Sequence, residues 1–287
     1  MNSNPCTLCP NKCKVFRNGQ LGACGVGSKI KIAKYYLHHY EEPVISGDNG
    51  SGTIFFTGCS LKCVFCQNYS LSRNARGKEI TENELADIFK ELENMGAHNV
   101  NLVTGTQFID KIIRALEIYR PNIPIIYNTH GYESVEILKE IDSFIDVYLP
   151  DLKFFSPEIS FRYTGKRDYF QKASKAVEFM CNKPLEFDND GRILSGTIVR
   201  HLVLPQNVSD SKKILDWFKT FKDKAYINVM SQYTPFGDID KFPELNRKLT
   251  AREYDAVIDY AISLGFDKMF YQKQQSADAC YIPQWDY

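Results

Sequence analysis

Seven of the nine cysteines fall within the first 66 residues, and three of them punctuate Gly58-Cys59-Ser60-Leu61-Lys62-Cys63-Val64-Phe65-Cys66. Thiolates separated by three and then two residues can wrap one loop around an iron–sulfur cubane. A 4Fe-4S cluster takes four ligands, so three cysteines leave one iron open, and an open iron can chelate a substrate or cofactor. A structural tetrahedral zinc site would demand a fourth protein ligand; three small thiols packed in a core are the plain alternative. An aromatic residue, Phe65, stands immediately before the third cysteine. A second set, Cys6, Cys9, Cys13 and Cys24, is interleaved with Pro10, Gly19, Gly22 and Gly25. Four thiolates so close together make a complete ligand set for zinc or for a coordinatively closed Fe-S cluster. A small knuckle of reduced thiols is the structural alternative. Cys181, among Ala176, Val177, Phe179 and Met180, reads as a small apolar residue of a helix, and Cys280 receives no role.

Composition narrows the setting. The chain has 287 residues, 44% apolar, 24% charged and 13% aromatic, which excludes a disordered, collagenous or coiled-coil protein. Lys plus Arg and Asp plus Glu are both 35, so no net basic field exists to hold a phosphate backbone, and nucleic acid is not an expected partner. No apolar run reaches the roughly 18 residues that span a bilayer. The first residues have neither the basic nor the apolar region of a signal peptide. A cytoplasmic protein without membrane contact is expected, and in that reducing compartment an odd number of crowded cysteines favours metal ligation over disulfides.

The elements that must position the cysteines follow residue 50. Residues 53–57 (TIFFT) form a short apolar strand that leads directly into the Cys59 loop. Thr81 opens a helix with Glu84 as its capping-box partner, and Gly96 closes it. Strands are then expected at 99–104, 124–127, 145–149, 197–204, 225–230 and 269–272. Helices are expected at 108–120, near 133–141 and 168–182, at 211–221, and after Thr250 with its own Glu253. Parallel neighbours need crossovers, and helices of this length supply them. Near-continuous apolar strands fit a sheet covered on both faces. Six or seven such units suit a barrel or partial barrel; a closed eight-unit barrel is the alternative, one or two units longer than the chain supplies. The reading is α/β, with residues 1–50 a Cys-rich extension and 51–287 the core domain.

The CxxxCxxC loop with an aromatic before its last cysteine resembles the signature of radical S-adenosylmethionine (SAM) enzymes. The likeness extends to residues 50–72 (GSGTIFFTGCSLKCVFCQNYSLS), 96–108 (GAHNVNLVTGTQF), 146–155 (DVYLPDLKFF), 199–205 (VRHLVLP) and 230–235 (MSQYTP). Together these resemble the PflX-type proteins, relatives of the pyruvate formate-lyase activating enzyme, over nearly the whole chain from Cys6 to Ile282. The resemblance implies a partial (β/α)6 barrel with the cluster at its mouth, held by Cys59, Cys63 and Cys66. It further implies SAM chelated at the open iron and one-electron cleavage to a 5′-deoxyadenosyl radical that abstracts hydrogen from a substrate. The cofactor carries that chemistry, while the protein supplies position and exclusion of water.

Polar residues just past the apolar strand runs are the expected SAM contacts. Phe65 should lie near the adenine, with ordinary loop packing as its alternative. Radical SAM enzymes often carry an acidic Gly-Gly-Glu-like segment after the second strand; here it is Thr104-Gly105-Thr106-Gln107, whose oxygens remain as acceptors. Asn128 and His130 follow the third strand, and His130 can equally be structural. Asp151 and Lys153 lie at alternate positions on one face, and the same DxK pattern lies beside SAM in glycyl-radical-enzyme activases; a simple ion pair is the alternative. An inward Arg200 is costly without an anionic partner. Only one of Arg200 and His201 can point inward, and parity favours Arg200. Gln232 and Tyr233 are substrate-side candidates. The substrate is not named by these residues. A flavodoxin- or ferredoxin-like one-electron donor is expected, and a protein substrate fits the activase alternative. Auxiliary clusters of related activases occupy an insertion absent here, so Cys6–Cys24 does not inherit an electron-relay role. A third alternative is a non-catalytic Fe-S or zinc binding module, with Glu41-Glu42-Pro43 and residues 35–40 as a partner surface.

Overall fold

The computed structural model describes residues 5–272; Cys280 and the end of the family likeness lie outside that range. In chain order the strands are β1 (Ile30–His38), β2 (Ser51–Phe56), β3 (Lys78–Ile80), β4 (Val100–Val103), β5 (Ile125–Thr129), β6 (Val147–Pro150), β7 (Glu186–Phe187), β8 (Ile193–Leu202), β9 (Tyr226–Met230) and β10 (Met269–Tyr271). The helices are α1 (Pro43–Ser46), α2 (Tyr69–Asn74), α3 (Glu82–Asn94), α4 (Ile109–Ile118), α5 (Val135–Ile141), α6 (Pro157–Thr164), α7 (Tyr169–Met180), α8 (Val208–Phe218) and α9 (Ala251–Ser263).

Strands β2, β4, β5, β6, β8, β9 and β10 pair in that order, all parallel, while β1 runs antiparallel to β2 and β3 antiparallel to β1. The path ends at β3 and β10 without closing, so the architecture is a partial barrel. Alternation along each strand sorts the side chains. Ile54, Leu102, Tyr127 and Tyr148 pack with Leu85, Phe89, Ile112 and Leu138 of the covering helices. On the other face Ile126, Val147, Leu149 and Ile198 cluster around Ile45 of α1. Pro43 starts that single turn. Ile45 is fully buried, which contributes about 1.5–3 kcal/mol. It fills the barrel interior toward the strand N-termini and leaves the C-terminal mouth to polar residues.

Both expected capping boxes form. Thr81 Oγ1 accepts from the Glu84 N–H at 3.2 Å and Glu84 returns the bond at 2.8 Å; Thr250 and Glu253 do the same at 3.3 and 3.0 Å. Each cap contributes about 1 kcal/mol. Strand β1, not anticipated from the sequence, alternates buried Ile30 and Ile32 with Lys31 and Lys34. Such a half-exposed, Lys-bearing run lacks the continuous apolar signature of its parallel neighbours. It ties residues 30–38 of the amino-terminal stretch into the sheet. Strand β8 begins at Ile193, ahead of the expected Thr197, because Gly196 interrupts the apolar pattern while still pairing with Val147. Helix α6 lies between the expected strand at 145–149 and the expected helix near 168–182, where the sequence pattern shows no regular element. Among the described residues, no helix is long and apolar enough to cross a membrane.

Gly131, just after β5, has φ +77°, and a Cβ there would overlap the carbonyl oxygen of Asp151 at the end of β6. Gly131→Ala should therefore destabilise the protein by about 1–3 kcal/mol. Urea unfolding checks this, and an unchanged midpoint would show that the two strand ends are free to separate.

Candidate active site at the barrel mouth

Strand β2 ends at Phe56, and Gly58 turns the chain into the cysteine loop with φ +79°. A Cβ at Gly58 would press on the Cys24 carbonyl and on Val26, so the residue type is required by the close approach of the amino-terminal stretch. The loop is held from several sides. The Cys59 N–H donates to Cys24 O at 3.1 Å and the Val64 N–H to Tyr163 O at 3.0 Å. Asn11 Nδ2 donates to Ser60 O at 2.8 Å, and Arg73 donates to Lys62 O at 2.6 Å. Gln107 Nε2 donates to Thr57 O and Gly58 O at 2.9 and 3.2 Å. Leu61 anchors the loop in the core, fully buried.

Cys59, Cys63 and Cys66 line one cavity of about 230 Å³, together with Phe65, Thr104, Asn128, Asp151, Lys153 and Arg200. Those six are the residues the sequence reading put beside SAM. His130 and Gln232 line it as well, whereas Tyr233 is buried behind it, with its hydroxyl on Leu245 O at 2.7 Å. Phe65 packs edge-on against Phe154, Tyr163 and Tyr233. Of the Thr104–Gln107 segment, only Thr104 reaches the cavity. Thr106 donates to Glu133 at 2.6 Å, and the Gln107 amide staples β2 to β4. His130 is neutral: burial, reinforced by Lys153, pushes it down to about 4. Its Nδ1 accepts from the Tyr132 N–H at 3.1 Å, so Nε2–H faces the Ser60 hydroxyl at 2.8 Å.

Charge organises the interior. Arg200 points inward, as parity suggested, while His201 faces α8 with Ser211 Oγ at 2.9 Å from its Nε2. Arg200 Nε donates to Asp151 at 3.0 Å, Nη1 to Glu41 at 3.3 Å and Nη2 to Asn128 Oδ1 at 2.5 Å. Lys153 Nζ donates to the other oxygen of Asp151 at 2.6 Å. Burial works against the charge of Asp151, but Arg200 and Lys153 together hold its carboxyl below the usual range. Burial likewise opposes Lys153, and Asp151 outweighs it, raising the ammonium pKa. The anionic partners that Arg200 requires are thus residues of the chain itself.

Glu41 and Glu42 are the residues that sequence reading placed wrongly. They do not form a surface: Glu41 accepts from Asn101 at 3.1 Å inside the barrel, and Glu42 accepts from Asn228 at 2.8 Å. Burial pushes both carboxyls up against the pull of Arg200. The one available signal was the unmet need of an inward arginine for a carboxylate, which does not say which carboxylate.

The donor set fits a 4Fe-4S cluster with one open iron: buried Cys59 and Cys63 and half-buried Cys66 line one cavity, with the Lys153 ammonium on the same wall. Burial pushes Cys59 up to about 11 and raises Cys63 and Cys66, while the Lys153 charge lowers all three. The four amino-terminal cysteines also lie within electrostatic range of one another. Burial raises Cys6 and takes Cys9 to about 12. Burial raises Cys13 too, but hydrogen bonds from Ala23, Val15 and Cys6 bring it below its ordinary value. Among the described residues no three His, Cys, Asp or Glu side chains already surround a single-ion position.

A family model described as the radical SAM superfamily matches residues 53–218. An uncharacterised protein of Methanocaldococcus jannaschii is 32% identical over 278 residues, covering 92% of this chain and 76% of that protein. The pyruvate formate-lyase-activating enzyme of Clostridium pasteurianum is 25% identical over 235 residues, 77% of this chain and 91% of its own. Among solved structures, SuiB of Streptococcus suis matches with a TM-score of 0.50 at 16% identity, covering 75% of this chain and 47% of SuiB, a likeness of fold alone.

Arg200→Met should leave Asp151 and Glu41 without their shared cation and cost about 3–5 kcal/mol of stability. Arg200→Lys should recover only part, since an ammonium cannot span three acceptors as a guanidinium does. Urea unfolding of the ligand-free protein measures both, and a Met variant as stable as the parent would show that the network does not hold the interior.

Proposed function

The chain belongs to the radical SAM superfamily, and we propose that Cys59, Cys63 and Cys66 hold its 4Fe-4S cluster while the polar wall of the same cavity binds SAM. The family implies both cofactors. The reading rests on one observation: the three thiols share a cavity with Phe65, Thr104, Asn128, Asp151, Lys153 and Arg200, drawn from the ends of four different strands and the loop. Held by Cys59, Cys63 and Cys66, the cluster would supply one-electron reductive cleavage of SAM, the chemistry the family uses to start hydrogen abstraction from a substrate.

The chain's own residues prepare that site. Lys153 favours the thiolate form of the three cysteines against the burial that opposes it. The Asp151–Lys153 pair presents both signs of charge beside the thiols, which suits the amino and carboxylate groups of SAM. Salt bridges to Arg200 and Lys153 leave the Asp151 carboxylate little freedom, so the wall is organised before any ligand arrives. Phe65 and the aromatic rings behind it keep water from the loop side. Reductant comes from a one-electron donor, for which a flavodoxin or ferredoxin is the chemical match.

A narrower reading makes the protein a glycyl-radical-enzyme activase. The similarity to the activating enzyme of C. pasteurianum and the DxK pair support it. Electron paramagnetic resonance of a candidate partner mixed with the reduced, SAM-loaded protein distinguishes that reading from other radical SAM reactions. The cysteines Cys6, Cys9, Cys13 and Cys24 we assign to a second metal, zinc or a closed Fe-S cluster, with a role in docking or structure.

Cys66→Ala should abolish 5′-deoxyadenosine formation from SAM and dithionite after anaerobic reconstitution; activity at the parent level would overturn the ligand assignment. Cluster assembly in the parent without SAM cleavage would favour a binding module. Cys9→Ala should lower total bound iron or zinc by one site while leaving SAM cleavage in place, as measured by metal analysis beside the same assay. An unchanged metal count would remove the second site.

A further inference from the structure

Beyond Arg200 and Glu41 the interior continues into a second cavity of about 590 Å³, bounded by α1 on one side and by β9 and β10 on the other. It shares Tyr40, Glu41, Arg200, Met230 and Gln232 with the cavity of the cysteine loop. Its polar wall is made by Glu42 and Asn228, only 6% and 5% exposed. Glu42 Oε1 accepts from the Asn228 amide at 2.8 Å. Glu42 Oε2 and Asn228 Oδ1 are both buried and have no hydrogen-bond partner among the described residues. Unmet acceptors in a dry interior cost free energy unless something donates to them. With Glu42 ionised, both atoms are acceptors only, and a cationic donor at this position would also hold Glu42 in that form against the burial that opposes it.

The charge count points the same way. Three carboxylates, Glu41, Glu42 and Asp151, face two cations, Arg200 and Lys153. Arg200 is already committed to Asp151, Asn128 and Glu41, and Lys153 to Asp151. Glu42 is therefore the carboxylate without a hydrogen-bonded cation, and it walls the cavity rather than the cysteine loop. Beside Gln232 and Gln272 the lining includes Met230, Met269 and Phe270, an apolar strip that can take a hydrocarbon stem.

We propose that this second cavity receives the substrate, and that the substrate carries an ammonium or guanidinium group that binds the Glu42 carboxylate and the Asn228 carbonyl. The inference deepens the proposed function and rests on it, because SAM in the first cavity makes the adjoining one the place left for the reacting partner. Arg200 and Glu41 form the partition between the two.

The test uses the anaerobically reconstituted protein with and without SAM and no reductant, so that binding is read without turnover. Agmatine and n-butylamine are the cationic probes, and butyrate is the matched anion, each titrated by calorimetry. At least tenfold tighter binding of the amines than of butyrate is expected, with at least a tenfold loss in Glu42→Gln. The Gln side chain keeps an acceptor for Asn228 and removes a buried charge, so this variant should melt no lower than the parent. Amine binding no tighter than butyrate, or unaltered in Glu42→Gln, overturns the proposal; so does amine binding that SAM abolishes, since that places the probe in the first cavity. The parent's choice between amine and carboxylate decides the question even if the variant does not fold. Failure of SAM cleavage with amine selectivity intact would instead count against the reading of the first cavity alone.

Discussion

A guanidinium inside a parallel barrel cannot be left unpaired, and this constraint organises the interior. Arg200 lies on β8, between strands whose other inward residues are largely apolar, where an isolated charge would be prohibitively costly. Its three donor positions draw in Asp151 from the end of β6, Asn128 from β5 and Glu41 from the segment before α1. Asp151 in turn fixes Lys153 beside the cysteine loop. One side chain therefore sets the relative positions of three strand ends, the plug at the barrel floor and the cation nearest the thiols. Gly131 allows β5 and β6 to come close enough for this, by leaving room for the Asp151 carbonyl.

The cysteine loop depends on the rest of the chain in a different way. Its backbone is held by groups from four remote segments: Asn11 and Cys24 before the sheet, Gln107 after β4, and Tyr163 at the end of α6. The amino-terminal stretch is thus physically continuous with the site, whatever metal its own cysteines hold. A loop fastened through its carbonyl and amide groups leaves its thiols pointing into the cavity, which is the arrangement a ligand loop needs.

Two polar layers divide the interior along its axis. The layer nearest the mouth pairs its charges almost completely, and the layer around Glu42 and Asn228 does not. Complete pairing favours a wall organised before ligand arrives, and incomplete pairing favours a wall that ligand completes.

The CxxxCxxC spacing, the strand–helix alternation and the two Thr–Glu capping boxes were legible in the sequence, because each is a local pattern whose physics acts within a few residues. The polar residues at strand ends were legible for the same reason: a parallel barrel carries every strand's C-terminus to one face, so position along the chain predicts position in the site. Glu41 and Glu42 were not. Two adjacent carboxylates before a proline look like a solvated turn, and nothing within reach along the chain says otherwise. Their partners, Asn101, Asn128, Arg200 and Asn228, lie 60 to 186 residues away. Strand β1 escaped notice similarly, since its lysines are tolerated only because it lies outside the parallel series. The chemistry at the mouth was therefore written in local spacing, while the pairing of buried charges across the barrel, and with it the shape of the second cavity, was decided only when the tertiary fold brought distant segments into one low-dielectric interior.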